Sequence, residues 1–215
     1  MQTMQQNESL RDRKRRLART ATQRAAIELC LEHGVDAVSV EMICDVVGIS
    51  PRTFYNYFGT REIALIGDEK PLPTEEQIEA FIAREGVSDV EAFAELMSQV
   101  WVDAQPDRDL YRLRRRLLDA NAELAGANWA RITRAREQYA AIVRRRLVVT
   151  APGRDAAALD SDAALVVHIA MGILQVAARG WACHEDEPDL DSLVTDLFPQ
   201  LRRLTQATPA LSPTA

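Results

Sequence analysis

The sequence predicts an all-α protein. Three observations carry that prediction. Apolar residues recur three and four apart in almost every segment from Leu17 to Leu204. Helix starts are signalled by residue pairs of capping-box spacing, Thr74 with Gln77 and Ser88 with Glu91. No stretch combines period-two alternation with turn residues, and no internal repeat is present.

Met1 to Leu10 is polar and reads as a loose lead-in. A long helix is expected over about 11–33, with Leu17, Ala21, Ala25 and Leu29 as its inward stripe, Ile27 and Leu31 beside them, and Gly34 as its stop. Ser39 caps a second helix, whose inner face carries Val40, Ile43 and Val47. Gly48 supplies a residue that tolerates positive φ at the turn. Ser50 is a further N-cap, and Pro51 occupies the first helical position, where its missing N–H costs nothing. Phe54 and Phe58, four apart, face inward. Arg52, Thr53, Tyr55 and Asn56 are left on the outer face. Two short helices about a glycine turn, the second with a hydrogen-bonding front, are the helix-turn-helix design. A linking helix follows from Arg61, and Lys70-Pro71-Leu72-Pro73 is the expected boundary, since two prolines cannot sit inside a regular helix. The expected domains are therefore 11–67 and 74–204.

The second domain reads as helices throughout. One opens after Thr74 and one after Ser88. A third opens at Pro106, with Leu110, Leu113, Leu117 and Leu124, and closes at Gly126. Long helices are expected over about 128–149 and 161–184, separated by Pro152-Gly153. The last, about 190–204, should kink or break near Pro199. The tail from Thr205 reads as loose.

The run Ser39-Val40, Ile43-Cys44, Val47-Gly48-Ile49-Ser50, Thr53-Phe54-Tyr55-Asn56-Tyr57-Phe58, Arg61-Glu62 and Leu65 resembles the N-terminal DNA-binding domain of the TetR family of bacterial repressors. The likeness covers roughly 11–67; beyond it the chain matches the family in length and helical texture alone. The resemblance implies a homodimer joined through the last long helices, and a repressor released by a small molecule held in the larger domain. It also implies that Ser50, Tyr57 and Arg61 hold phosphates. Cys44 and Arg52 stand where the family more often has a small residue, which makes Arg52 a candidate for operator-specific contact.

Composition is compatible with this reading. At 215 residues, 47% hydrophobic and 27% charged, the chain describes an ordinary globular protein. Its net charge is −6, yet between Arg11 and Arg24 lie Arg11, Arg13, Lys14, Arg15, Arg16, Arg19 and Arg24 against Asp12 alone. Distribution decides more than the sum. Arg13 and Lys14 are the arm residues taken to reach phosphates or the minor groove. Arg52, Thr53 and Asn56 are taken to face base edges, with Tyr55 beside them.

Other constellations are weaker. Met97, Trp101, Tyr111 and Tyr139 fall on successive helices and are candidates to line a cavity for an apolar or amphipathic effector. Leu165, Ile169, Gly172, Ile173 and Val176 share a helix with apolar and small residues on more than one face, which suggests a dimer interface. Arg112 and Arg114–Arg116, and again Arg144–Arg146, read either as solvated faces paired with acids or as one Arg turned inward toward an acidic headgroup. Cys30, Cys44 and Cys183 have no metal-ligand spacing and read as reduced thiols of a cytoplasmic protein. Cys183-His184-Glu185-Asp186-Glu187 reads as a polar helix end. No metal site, cofactor or catalytic constellation is expected: G-x-S-x-G, Walker, dinucleotide and H-E-x-x-H motifs are all missing. No apolar run near the roughly 20 residues of a membrane span stands out. The sequence alone leaves open that the larger domain binds a partner protein instead of a small molecule, or, more distantly, that it is an enzyme.

Overall fold

The computed structural model describes residues 9–104, 107–183 and 189–206. These residues form ten helices and no strand: α1 Leu10–His33, α2 Val40–Val47, α3 Pro51–Phe58, α4 Arg61–Ile66, α5 Glu75–Ala83, α6 Asp89–Ala104, α7 Arg108–Ala120, α8 Ala122–Thr150, α9 Ala156–Cys183 and α10 Leu190–Thr205. Residues 184–187 of the expected polar helix end, residue 188, and the tail from 207 lie outside the described residues.

The helix starts follow local chemistry. Ser9, Ser39, Ser50 and Thr60 each accept a backbone N–H in the first turn of the helix they open. At Thr74 both halves of the capping box are made, Thr74 N to Gln77 Oε1 at 2.8 Å and Gln77 N to Thr74 Oγ1 at 3.3 Å. Ser88 and Glu91 repeat that exchange. Several expected boundaries move. Gly126 does not close a helix but lies inside α8. The break falls at Asn121, whose Oδ1 accepts Leu124 N at 2.9 Å and so restarts the helix. α8 consequently begins at Ala122 rather than about 128, and α9, whose first turn is capped by Asp155, begins at Ala156 rather than about 161. α10 continues through Pro199 as one helix.

The chain divides into two compact units, one formed by the chain up to Lys70 with Asp107–Thr133, the other by Pro71–Pro106 with the chain from Arg134 onward. In the first, α1 packs on α2, α4 and α7. Its core joins Ile27 and Cys30 of α1, Ile43 of α2, Phe54 and Phe58 of α3, Leu65 of α4 and Leu117 of α7. The inward face of α1 is Thr22, Gln23, Ala26, Ile27 and Cys30, while Leu17 is 55% exposed. The buried face is thus rotated about the helix from the stripe expected at Leu17, because Thr22 and Gln23 are polar residues that are nonetheless buried. Thr22 satisfies its hydroxyl on the carbonyl of Ala18 at 2.8 Å.

In the second unit, α6 packs on α9, and α10 packs on both. Phe81, Phe93 and Tyr139 stack edge-on or tilted at 5.9 and 6.0 Å, and Trp101 meets Trp181 edge-on at 5.3 Å. Arg146 of α8 is 2% exposed. Its Nε reaches Asp89 at 2.7 Å and its Nη1 donates to the carbonyls of Phe81 and Arg84. Ser98, fully buried, donates to Asp191 at 2.7 Å and ties α6 to α10.

Candidate nucleic-acid interface

The interface is assembled from α2, its turn and α3. Gly48 has φ 69° and ψ 37°, the left-handed conformation that glycine adopts without a Cβ penalty. It lets the N–H groups of Gly48 and Ile49 both return to the carbonyl of Cys44. The chain therefore turns tightly into Ser50, whose Oγ accepts Thr53 N at 3.1 Å. Phe54 and Phe58 are buried, with ring centroids 5.0 Å apart. They fix the rotation of α3, and the rest follows from 3.6 residues per turn. Arg52, Tyr55 and Asn56 are exposed, and Thr53 and Tyr57 half-buried beside them. Thr53 Oγ1 shares a hydrogen bond with Ser50 Oγ at 2.9 Å.

The start of α1 lies against this face. An open groove of about 940 Å³ has Arg11, Lys14 and Arg15 on one wall and Thr53, Asn56 and Tyr57 on the other. Asp12 also borders the groove, but its carboxylate accepts the hydroxyl of Ser9 at 2.6 Å as part of the α1 cap. Lys14 and the α3 residues are thus brought together. Arg13 is exposed on α1 but does not border the groove.

Three arginines of this region have other tasks. Arg61 turns inward, and its Nη1 donates to the carbonyls of Val35, at 2.9 Å, and Val38. It closes the loop between α1 and α2. Those two bonds engage Nη1 with the loop. Arg19 donates from Nε to the carbonyl of Tyr57 at 3.1 Å, pairs with Asp68 at 2.6 Å, and lies over the Phe58 ring at 4.9 Å. Arg24 holds Asp107, the N-cap of α7, with both carboxylate oxygens at 3.1 Å. Sequence reasoning counted Arg19 and Arg24 as surface charge. The available signal was their position: Arg24 falls within the buried stretch of α1 and Arg19 within a turn of its start. Cys44 is buried beneath the interface, and burial pushes its thiol pKa up, which leaves it a neutral packing group.

The remaining candidates lie elsewhere. Met97 and Tyr139 are buried in the second unit, where Trp101 is half-buried. Tyr139 donates to the carbonyl of Pro71 at 2.8 Å, and burial pushes its phenol up to about 12. Tyr111 is on α7 and belongs to the first unit, so the structure does not group it with the other three. On α9, Leu165, Gly172 and Val176 are exposed and Ile169 half-buried, whereas Ile173 turns into the core at 8% exposure. Of the arginine clusters, Arg112, Arg115, Arg144 and Arg145 make surface ion pairs, while Arg114 and Arg146 turn inward. α9 also qualifies as a membrane span by length and apolarity alone, a property that the sequence pattern had hidden; its residues 156–182 have a mean hydropathy of 1.6 over the most apolar window, 39% of it buried. Among the described residues no cluster of His, Cys, Asp or Glu could hold a metal.

Residues 24–63 match the family described as bacterial regulatory proteins, tetR family. Over 53 residues the chain is 42% identical to the HTH-type transcriptional regulator TcmR of Streptomyces glaucescens, a match covering 25% of this chain and 24% of TcmR. Among solved structures, Thermus thermophilus FadR in complex with lauroyl-CoA is 20% identical, covering 92% of this chain and all of that one, with a TM-score of 0.41. FadR from Bacillus subtilis in complex with stearoyl-CoA is 21% identical, covering 84% and 96%, with a TM-score of 0.49. The family match falls on the residues that build the two short helices, the glycine turn and the buried phenylalanines. Residues 24–63 thus carry a helix-turn-helix domain of the kind found in the TetR family of bacterial regulatory proteins.

Proposed function

We propose that the chain is a repressor that binds a palindromic operator as a homodimer and is released by a small molecule. The observation that carries the DNA-binding half is α3 itself. Two buried phenylalanines hold Arg52, Tyr55 and Asn56 outward, beside a groove walled by Arg11, Lys14 and Arg15. An eight-residue helix reads only a few base pairs. Two copies on successive major grooves supply the missing specificity, and a two-fold dimer makes the site an inverted repeat. The open apolar stripe of α9, Leu165, Ile169, Gly172 and Val176, is the surface assigned to the partner copy.

In this reading Arg52, Thr53 and Asn56 read bases with Tyr55 beside them, while Arg13, Lys14, Ser50 and Tyr57 hold phosphates. Arg61 drops out of the phosphate set because it is tied to the loop carbonyls. Met97, Trp101 and Tyr139 are the side chains assigned to an apolar or amphipathic effector. Effector binding shifts the dimer toward a state whose two α3 helices no longer match the groove spacing.

Arg52→Ala tests the reading set. Removing a base-reading side chain costs about 1–3 kcal/mol and relaxes the preference at one position. Affinity for the selected operator should fall about 5–150-fold on that scale, with little change on random DNA, as measured by fluorescence anisotropy. An equal loss on both DNAs removes Arg52 from the set.

A further inference from the structure

The carbonyls of a helix's last turn have no N–H of their own helix to accept. In α3 one of them, that of Tyr55, accepts Gly59 N at 2.8 Å. The carbonyl of Tyr57 is served from another helix: Arg19 of α1 donates to it from Nε at 3.1 Å. The same guanidinium lies 4.9 Å from the centroid of the Phe58 ring, one of the two buried rings that set the rotation of α3. A cation at this end also complements the α3 dipole. From its other side Arg19 donates Nη2 to Asp68 Oδ1 at 2.6 Å. Asp68 follows Gly67, whose N–H closes α4 on the carbonyl of Ile63. One fork thus fastens α3 both to α1 and to the segment that ends α4, all within the first unit.

The fastening spans the groove between α1 and α3. Arg11, Lys14 and Arg15 line that groove from α1, with Ala18 beyond them, and Tyr57 lines it from α3. Arg19 is the next residue after Ala18, and its Nε holds the backbone of Tyr57. A single hydrogen bond therefore joins the two walls. Arg19 itself does not border the groove, and its side chain is 27% exposed.

We infer that Arg19 is a positioning residue for DNA recognition: it sets the distance and rotation of α3 relative to the basic wall of α1, and Asp68 fixes the orientation of its fork. This inference rests on the proposed DNA-binding function. Hydrogen bonds to base edges weaken steeply when donors are misaimed. The attraction between a basic arm and phosphates falls only with the inverse of distance and tolerates small shifts. Loosening the fork should therefore cost discrimination between sequences, and leave the attraction to DNA as such. A lysine cannot replace the fork, because it offers one nitrogen where the planar guanidinium holds two acceptors at once.

The test measures the affinity of the full chain for its selected operator and for random duplex, by fluorescence anisotropy. It compares the parent with Arg19→Lys, Asp68→Ala and the two combined, at a temperature where circular dichroism shows every variant folded. Asp68 is 62% exposed, so its truncation leaves the core intact. Arg19→Lys should lower operator affinity about tenfold, the weight of one well-made base contact. Its affinity and salt slope on random DNA should stay parental, since the charge is kept. Asp68→Ala should act in the same direction but less. The double variant should be no worse than Arg19→Lys alone, because both changes break one device. Without DNA, the α3 amides of Arg19→Lys should exchange hydrogen faster than its loss of global stability accounts for. Parental discrimination by Arg19→Lys, or parental exchange of its α3 amides, overturns the inference. Equal losses on operator and random DNA also overturn it and make Arg19 a phosphate contact. A parent chain that binds selected and random DNA alike overturns the DNA-binding reading itself, and this inference with it.

Discussion

Two faces of this molecule are left open, and they are opposite in kind. α3 presents Arg52, Tyr55 and Asn56 and hides its phenylalanines; α9 presents Leu165, Gly172 and Val176 and hides Val167, Ala170 and Ile173. The first face is rich in directed donors and acceptors, which suits base edges and phosphates. The second is apolar, with Leu165 and Val176 standing exposed on either side of Gly172, which suits an apolar partner surface. The proposed function places specificity on the first and avidity on the second. The difference teaches that damage to α9 should cost more DNA affinity than damage to any single residue of α3, although α9 is assigned no contact with DNA.

The largest effect is therefore expected at Gly172. Nothing lies within 4 Å of a Cβ built there, so Gly172→Glu leaves the protomer undisturbed and places a charge on the open stripe. The variant should sediment as a monomer and lose about 10²–10⁴ in operator affinity, the usual gain from linking two binding events. Ile173→Glu is the contrast: a residue 8% exposed turns into the core, so that variant should misfold. A native-like dimer from Gly172→Glu would place the interface elsewhere.

Next in size is the arm. Removing residues through Arg16 deletes Arg11, Lys14 and Arg15 of the groove wall together with Arg13 and Arg16. The slope of log affinity against log salt should become shallower by about 0.9 for each phosphate that the shortened chain no longer neutralises. Circular dichroism should show an intact fold, since the buried face of α1 begins at Thr22. An unchanged slope would mean that the groove faces water and that α3 binds alone.

Arg61→Met is the smallest of the three and separates scaffold from interface. It leaves the carbonyls of Val35 and Val38 without this donor. Stability should fall by about 1–3 kcal/mol, read as a lower midpoint in urea. The salt slope should stay that of the parent. A shallower slope at unchanged stability would return Arg61 to the phosphate set.

Much of the head was legible in the sequence because its signals are local. Ser39, Gly48, Ser50 and Pro51 specify starts and stops within a turn of where they act, and Phe54 and Phe58 leave one rotation for α3. The misses share a cause too. Thr22 and Gln23 fall outside the expected apolar stripe because they are polar, and their burial depends on neighbours distant in the chain. The pause at Asn121 escapes the sequence pattern because a cap made by an asparagine side chain leaves the apolar spacing unbroken. Above all, arginines in a sequence count as charges. Arg19, Arg24, Arg61, Arg131 and Arg146 use their rigid forks to hold carbonyls and carboxylates, and a pattern of signs does not reveal which cations turn inward.

The central claim is that two copies of α3, joined through α9, read one inverted repeat. Selection of random duplex DNA by the purified chain, followed by the stoichiometry of the selected complex, tests it most directly. The account predicts two half-sites related by a two-fold axis, their centres about one helical turn or a multiple of it apart, with an even number of chains per site and the symmetry lost with Gly172→Glu. A single asymmetric site bound tightly by one chain would contradict it.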